Sequence, residues 1–469
     1  MKGSIKFYSD FRGFGFIQGE DGQEYFVHIS NVVSQKDRTL DVDDQVIFEP
    51  STSKKGLQAI DVRKLNKGED EAEEQYQIKK NPFTPQSPIS DIAKFAGRRK
   101  FIYECVEKII NQQNILISGY RGIGKSSLAT IIAKSTQENL KSLEKMQIIS
   151  DTIHINNIIG DYRCSNSQKV TDIARGLIDS LMINLSVNEK ITVESNFKLN
   201  LKIVEIGCTE KKCDITVQEL MLAFYNDLIT IKEKYGFLYT GFTLLIDEID
   251  IIEDGENFAT FLKNLTEKIR TDNRISVVFI IAGVTGVITN LLSQHQSANR
   301  SIETINLSKM LDSELSDIIT LHLNGTKIVI DENAKHEIVK LANNFPHPVH
   351  LIAYHAYRLC TGNNITIEDV NKAKLHIVSN LRKQEFEGKF YSIKEPGCVA
   401  ILRNIANSKY DTVDLFNIRR GLQQYKPHEI DRHLVRLCEE SILERAYTDK
   451  YRFVEPLFKI FIKWIFNLR

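Results

Sequence analysis

Gly119-Tyr120-Arg121-Gly122-Ile123-Gly124-Lys125-Ser126 sets glycines, a lysine and a hydroxyl in the spacing G-x-x-x-x-G-K-S. Glycines let backbone N–H groups close around a phosphate at a helix N-terminus, where the field favours anions. In this arrangement Gly119, Gly122 and Gly124 shape the loop, and Lys125 reaches the β- and γ-phosphates. Ser126 is a ligand for Mg²⁺, and Ser127 follows it into the phosphate-binding turn. The apolar strand pattern Asn114 to Ser118 precedes the loop, and the helical pattern Ser127 to Lys134 follows it. Roughly 120 residues further on, Phe242-Thr243-Leu244-Leu245-Ile246 ends in Asp247-Glu248. Asp247 is placed to meet Mg²⁺ through water, and Glu248 to orient or deprotonate an attacking water. These two segments imply a site for ATP and Mg²⁺.

A second set of residues offers stacking surfaces. Gly3-Ser4-Ile5-Lys6-Phe7-Tyr8 leads into Arg12-Gly13-Phe14-Gly15-Phe16-Ile17, and Tyr25-Phe26-Val27-His28 follows. Alternate side chains of a strand share a face, so Phe14 pairs with Phe16 and Phe26 with His28. Neighbouring strands merge these into one platform with Phe7, on which bases stack at about 1–3 kcal/mol each. Lys6 and Arg12 are placed to meet phosphates. Residues 1–65 hold nine Lys/Arg and ten Asp/Glu, so binding there leans on stacking.

These motifs, with the later strand Gln58-Ala59-Ile60-Asp61-Val62, make residues 1–65 resemble a cold-shock domain. Phe7 stands where that family usually has Trp. The resemblance implies a five-stranded OB-type barrel that binds single-stranded RNA or DNA with little sequence preference. From about residue 81 to 469 the chain resembles P-loop ATPases of the AAA+ and STAND groups. That resemblance implies that Phe95-Ala96-Gly97-Arg98 approaches the adenine, with Arg98 at the nucleotide. It implies that Thr285, just past the strand Val277 to Gly283, reads the γ-phosphate, and that Arg300 acts as a finger on ATP in a neighbouring subunit of a homo-oligomer. Asn344-Phe345-Pro346-His347-Pro348-Val349-His350 resembles the second sensor region but holds no arginine, leaving His347 or His350 as substitutes.

The elements that must hold these residues give a multidomain fold. An N-terminal all-β OB-type barrel (1–65) is followed by a charged, proline-stiffened linker (66–90). A central α/β P-loop ATPase with a parallel sheet (91–308) precedes a helical lid (309–388) and a C-terminal winged helix (389–469). The alternating segment Phe197 to Ile203, with Lys211-Lys212, reads as a hairpin insertion at about 195–215, touching nucleic acid or a partner, or simply edging the sheet. In the last domain, which resembles that of origin-recognition-type ATPases, Lys426, Arg432, Arg436, Lys450 and Arg452 make duplex DNA a second candidate partner.

Composition bounds the rest. With 469 residues, 42% hydrophobic and 26% charged, the chain has room for several packed domains. Lys+Arg and Asp+Glu are 61 each, which excludes nucleic-acid binding by bulk charge. The closest cysteines, Cys208 and Cys213, have no second pair to complete a paired-cysteine zinc site. No apolar run approaches the roughly 20 residues of a membrane helix, and the first residues carry no signal-peptide core, so the expectation is a cytoplasmic protein without a membrane partner. Two functions follow: an ATPase coupled to single-strand binding, or a nucleotide-gated sensor of slow turnover that signals to a separate effector, as in phage defence.

Overall fold

The computed structural model describes residues 1–9, 14–32, 40, 42, 44–53, 56–64, 80–137, 143, 155–188, 215–284, 302–384 and 395–466. They form two compact units, 1–80 and 81–469. In the first, β1 (Lys2–Ser9), β2 (Phe14–Gly19), β3 (Glu24–His28), β4 (Gln45–Ser53) and β5 (Gly56–Lys64) close a barrel in the order β1-β2-β3-β5-β4. Strand alternation sorts the side chains. Ile5, Ile17, Tyr25, Val27, Val46 and Phe48 fill the interior, while Phe14, Phe16 and Phe26 lie on the outer face. Gly15 is required between the phenylalanines, because a Cβ there would lie 2.3 Å from the Phe7 carbonyl oxygen. A register shift between Ile5 and Phe7 turns both Lys6 and Phe7 outward.

In the second unit α1 (Arg99–Ile110) precedes β6 (Asn114–Gly119), and α2 (Lys125–Gln137) follows it. Then come β7 (Asn157–Arg163), α3 (Val170–Asn188), α4 (Val217–Tyr235), β8 (Gly241–Asp247), α5 (Gly255–Asp272), β9 (Val277–Val284) and β10 (Ile302–Asn306). The five strands form one sheet in the order β10-β6-β9-β8-β7, with every pairing parallel. Residues of β6 are buried throughout, as a parallel strand covered on both faces requires. Because β6 lies between β9 and β10, its crossover to β7 skips two strands. The ends of β6, β8 and β9 therefore open on one crevice, the usual ligand position in open α/β sheets.

Four helices follow: α6 (Asp312–Leu323), α7 (Glu332–Ala342), α8 (Pro346–Leu359) and α9 (Ile367–Gln384). Short strands β11 (Val329–Ile330) and β12 (Asn364–Ile365) pair in parallel among them. The last residues give α10 (Pro396–Asn407), β13 (Val413–Asp414), α11 (Leu415–Gly421), α12 (Pro427–Glu439), β14 (Leu443–Tyr447), β15 (Lys450–Phe453) and α13 (Pro456–Ile465). Their three strands form one sheet in the order β13-β15-β14.

The linker is shorter than its prolines suggest. Phe83 is buried and stacks on His322 at 5.5 Å, the Asn81 amide donates to the Tyr354 carbonyl, and Ile89 N–H donates to Ser127 Oγ. The proline-rich stretch from residue 81 is thus part of the second unit. The hairpin expected at about 195–215 lies outside the described residues.

Phe48 is wholly enclosed in the barrel. Phe48→Ala is expected to destabilise the barrel by about 3–5 kcal/mol. Hydrogen exchange of barrel amides in the full chain would show it as lost protection, while amides of β6 and β8 keep theirs.

Candidate functional site

The loop between β6 and α2 borders a cavity of about 960 Å³. Gly122 and Gly124 hold φ of 76° and 98°, a region open mainly to glycine, which explains both positions in the motif. A Cβ on Gly122 would sit 3.3 Å from that of His347. Lys125 Nζ donates to the Tyr120 carbonyl oxygen at 2.9 Å. Burial holds its ammonium below the usual lysine range, against the opposing pull of Asp250 and Asp247. Ser126 and Asp247, the two expected metal ligands, both line this cavity. Burial pushes the Asp247 carboxyl up, and the nearby Ser126 hydroxyl opposes this. The Ser127 hydroxyl accepts from Ile89 N–H, fastening the 81–95 segment to the start of α2.

Glu248 follows Asp247 with φ of 56°, an uncommon conformation for a residue with a side chain. Its carboxylate accepts from Arg163 Nη2 at 2.6 Å, and this bond holds it below the usual range. Arg163 closes β7 and stands beside Asp247 in the β7–β8 register. The sequence reading missed Arg163, because β7 is short of apolar residues (Asn-Ile-Ile-Gly-Asp-Tyr-Arg) and has no clear strand pattern. It also missed Asp250, whose carboxylate accepts from Val284 N–H at 2.8 Å and so joins the ends of β8 and β9. The third acid in Asp-Glu-Ile-Asp was the available signal.

The expectation for Arg98 is a place at the nucleotide. Its guanidinium is buried and donates to the carbonyls of Ser308 and Ile123, while its backbone N–H donates to Glu314. It lines the cavity but spends these donors on backbone, clamping the phosphate loop rather than reading a base. His347 and His350 also line the cavity. Burial lowers both, His350 to about 3, so at neutral pH neither supplies the charge of a sensor arginine. The positive side chains at this cavity, besides Lys125, include Arg121 and Arg163. Thr285 and Arg300 lie outside the described residues.

The phosphate loop also touches the C-terminal helices and strands. Arg452 Nη1 of β15 donates to the Tyr120 hydroxyl at 2.9 Å, with its guanidinium 5.3 Å from the ring centre. Arg121 lies 3.7 Å from Glu455, and Leu457 and Ile460 complete that wall of the cavity. Of the bases expected to meet duplex DNA, Arg452 is paired with Glu444 and Tyr120, and Arg436 of α12 with Glu395.

On the barrel, the expected aromatics assemble. Phe14 stacks on Phe26 and Phe16 meets it edge-on, both with centroids 5.8 Å apart. Phe7 pairs with Phe16 across β1–β2, and His28 with Phe14 across β2–β3. Phe7 is 49% and Phe16 36% exposed, unusual for phenylalanine and suited to stacking. Lys6 is paired with Glu24 at this surface. Arg12 lies outside the described residues.

The geometry thus defines a closed barrel with an outer aromatic face, and a P-loop α/β unit. Residues 1–65 match the family described as 'Cold-shock' DNA-binding domain. Over 66 residues the chain is 42% identical to the cold shock-like protein CspA of Vibrio cholerae, covering 14% of this chain and 94% of that protein. Through this segment the chain belongs to the cold-shock family. Among solved structures it is similar to the Walker-type ATPase of Pyrococcus abyssi, with a TM-score of 0.52 and 14% identity over 81% of this chain and 99% of that one. Such coverage must run through the second unit, which therefore has that fold. The Aeropyrum pernix ORC2 protein gives a TM-score of 0.48 at 12% identity, covering 83% of this chain and 97% of that one. No helix among the described residues is long and apolar enough to cross a membrane.

The contact between Tyr120 and Arg452 is measurable. In a double-mutant cycle of Tyr120→Phe and Arg452→Met, urea unfolding is expected to give a favourable coupling of about 0.5–1.5 kcal/mol. Strict additivity would mean that the contact contributes nothing.

Proposed function

We propose that this chain binds and hydrolyses ATP in its second unit and captures single-stranded RNA or DNA on its barrel. The observation that carries the first part is the convergence of a left-handed glycine loop, Lys125 and the Ser126–Asp247 pair on one cavity. The residues fit a triphosphate. The loop offers backbone N–H donors, Lys125 an ammonium that can exchange the Tyr120 carbonyl for phosphate oxygens, and Ser126 with Asp247 the oxygen ligands for Mg²⁺. Bound Mg²⁺ would neutralise charge developing on the transferred phosphoryl group. Glu248 orients the attacking water once released from Arg163.

That ion pair favours a second reading, a nucleotide-gated switch of slow turnover. While Arg163 occupies the Glu248 carboxylate, the base is held away from its task. Glu455 and Arg452, resting on Arg121 and Tyr120, give the C-terminal residues a direct view of the loop's occupancy.

Lys125→Ala is expected to lose ATP binding, and Glu248→Gln to keep binding while turnover falls at least 100-fold. Arg163→Ala separates the readings. Turnover several-fold above wild type supports the switch, and turnover at or below wild type supports the plain ATPase, with Arg163 helping to place Glu248. Both fail together if Lys125→Ala binds ATP like wild type.

Phe14→Ala and Phe26→Ala are each expected to weaken binding of a single-stranded oligonucleotide by roughly 5- to 150-fold, from about 1–3 kcal/mol per stacked base. Fluorescence anisotropy with DNA and RNA oligomers of one sequence measures this and identifies the preferred polymer. Undiminished affinity in the double variant would remove the barrel from the reading.

A further inference from the structure

A second cluster of chemically capable side chains lies away from the cavity, where α10 meets α12. Glu395 caps the start of α10, Cys398 lies in its first turn, and His433 reaches them from α12. Both Cys398 and His433 are buried. Cys398 Sγ is 3.5 Å from His433 Nδ1, and Glu395 Oε2 is 3.1 Å from that same nitrogen. Ligand atoms of all three residues lie within 4.8 Å of one another.

One ring nitrogen facing a sulfur and a carboxylate oxygen is poorly served by protons. Nδ1 has a single in-plane direction and carries either one hydrogen or one lone pair. It can bond only one of the two neighbours well at a time. A single cation at the centre of the three would engage all of them. The spacing suits one: zinc at about 2.3 Å from sulfur and 2.0–2.2 Å from nitrogen and oxygen sets tetrahedral ligands roughly 3.3–3.6 Å apart.

The surroundings are also prepared. Arg436 holds Glu395 through its other oxygen, Oε1, and leaves Oε2 toward His433. Such an outer partner fixes a metal-ligating carboxylate. Gly397 allows the ring its seat, because a Cβ there would lie 2.3 Å from His433 Nε2. Thiolate, imidazole and carboxylate together select a borderline-soft ion of the zinc class over Mg²⁺, and a thiolate and a carboxylate balance its two charges. Arg436 and the neighbouring Arg432 oppose a cation in general, so the selection falls on an ion that forms a strong sulfur bond.

We propose that Glu395, Cys398 and His433 form a zinc-class site that staples the N-terminus of α10 to α12. The side of Glu395 faces solvent, so water takes the fourth position. This is not a paired-cysteine site, which is why cysteine spacing gave no sign of it. It stands independently of the nucleotide reading.

Metal-stripped full-length protein, titrated with Co²⁺ and then Zn²⁺, tests the assignment without any ATPase assay. The expected result is one equivalent of Co²⁺ with an intense sulfur-to-cobalt charge-transfer band, displaced by Zn²⁺ and unaffected by excess Mg²⁺. The band should persist in Cys208→Ser/Cys213→Ser. It should vanish in Cys398→Ser, and His433→Gln should weaken binding at least 10-fold. Absence of the band in the wild type overturns the proposal whatever the variants do. So does a band that survives Cys398→Ser or depends on Cys208 and Cys213.

Discussion

The phosphate loop keeps its shape because one buried guanidinium holds it. Arg98 donates to Ile123 within the loop and to Ser308 just beyond β10, and Glu314 of α6 accepts from its backbone N–H. Burial depresses its affinity for a proton, and Glu314 counters that cost. Removing the side chain would leave two carbonyls without these donors, each at about 1–3 kcal/mol if left unpaired. More than stability depends on it. The loop, the end of β10 and α6 are fixed relative to one another through this residue. Lys125 and Ser126 take their positions from the loop it anchors.

From that fixed loop, two side chains at its variable positions reach outward. Tyr120 meets Arg452 of β15 and Phe345 before α8, and Arg121 meets Glu455 before α13. The chemistry of a phosphate loop is carried by its glycines, lysine and serine. The intervening residues can be used otherwise, and here they make contacts around α8, β15 and α13. Lys125 bonds the Tyr120 carbonyl, so exchanging that bond for phosphate would act on the same residue whose hydroxyl meets Arg452. A change at the cavity would therefore reach Arg452 through one residue and one hydrogen bond. Exposed ion pairs such as Arg121–Glu455 add little energy by themselves, and the directional Tyr120–Arg452 bond is the more discriminating element.

What was legible in the sequence was local. The phosphate loop, the acids ending β8 and the alternating aromatics of β1–β3 each lie within one short segment, and their spacing alone fixes their geometry. The fold classes followed from the same patterns. What was illegible was contact across distance. Arg163 meets Glu248 only because β7 and β8 pair, Arg452 meets Tyr120 across 332 positions, and His433 meets Cys398 only when α10 and α12 pack. Arg98 is a different case: it lines the cavity, and its guanidinium donates to backbone carbonyls, which no local spacing announces. A buried arginine beside bare carbonyls satisfies them before it can recognise anything else.

The barrel poses the complementary problem, since its charge gives it little pull on a polyanion. Lys6, the described base nearest its aromatic face in sequence, is paired with Glu24. Engaging a phosphate with Lys6 would mean exchanging that partner, so the net electrostatic gain is small. Stacking has no such competitor: Phe7 and Phe16 already stand exposed, and their solvation is lost favourably when a base covers them. Few counterions would be released on binding, so affinity should fall only gently with salt, unlike that of a protein gripping many phosphates. A surface of this kind would distinguish unpaired bases from duplex, because only unpaired bases present their faces.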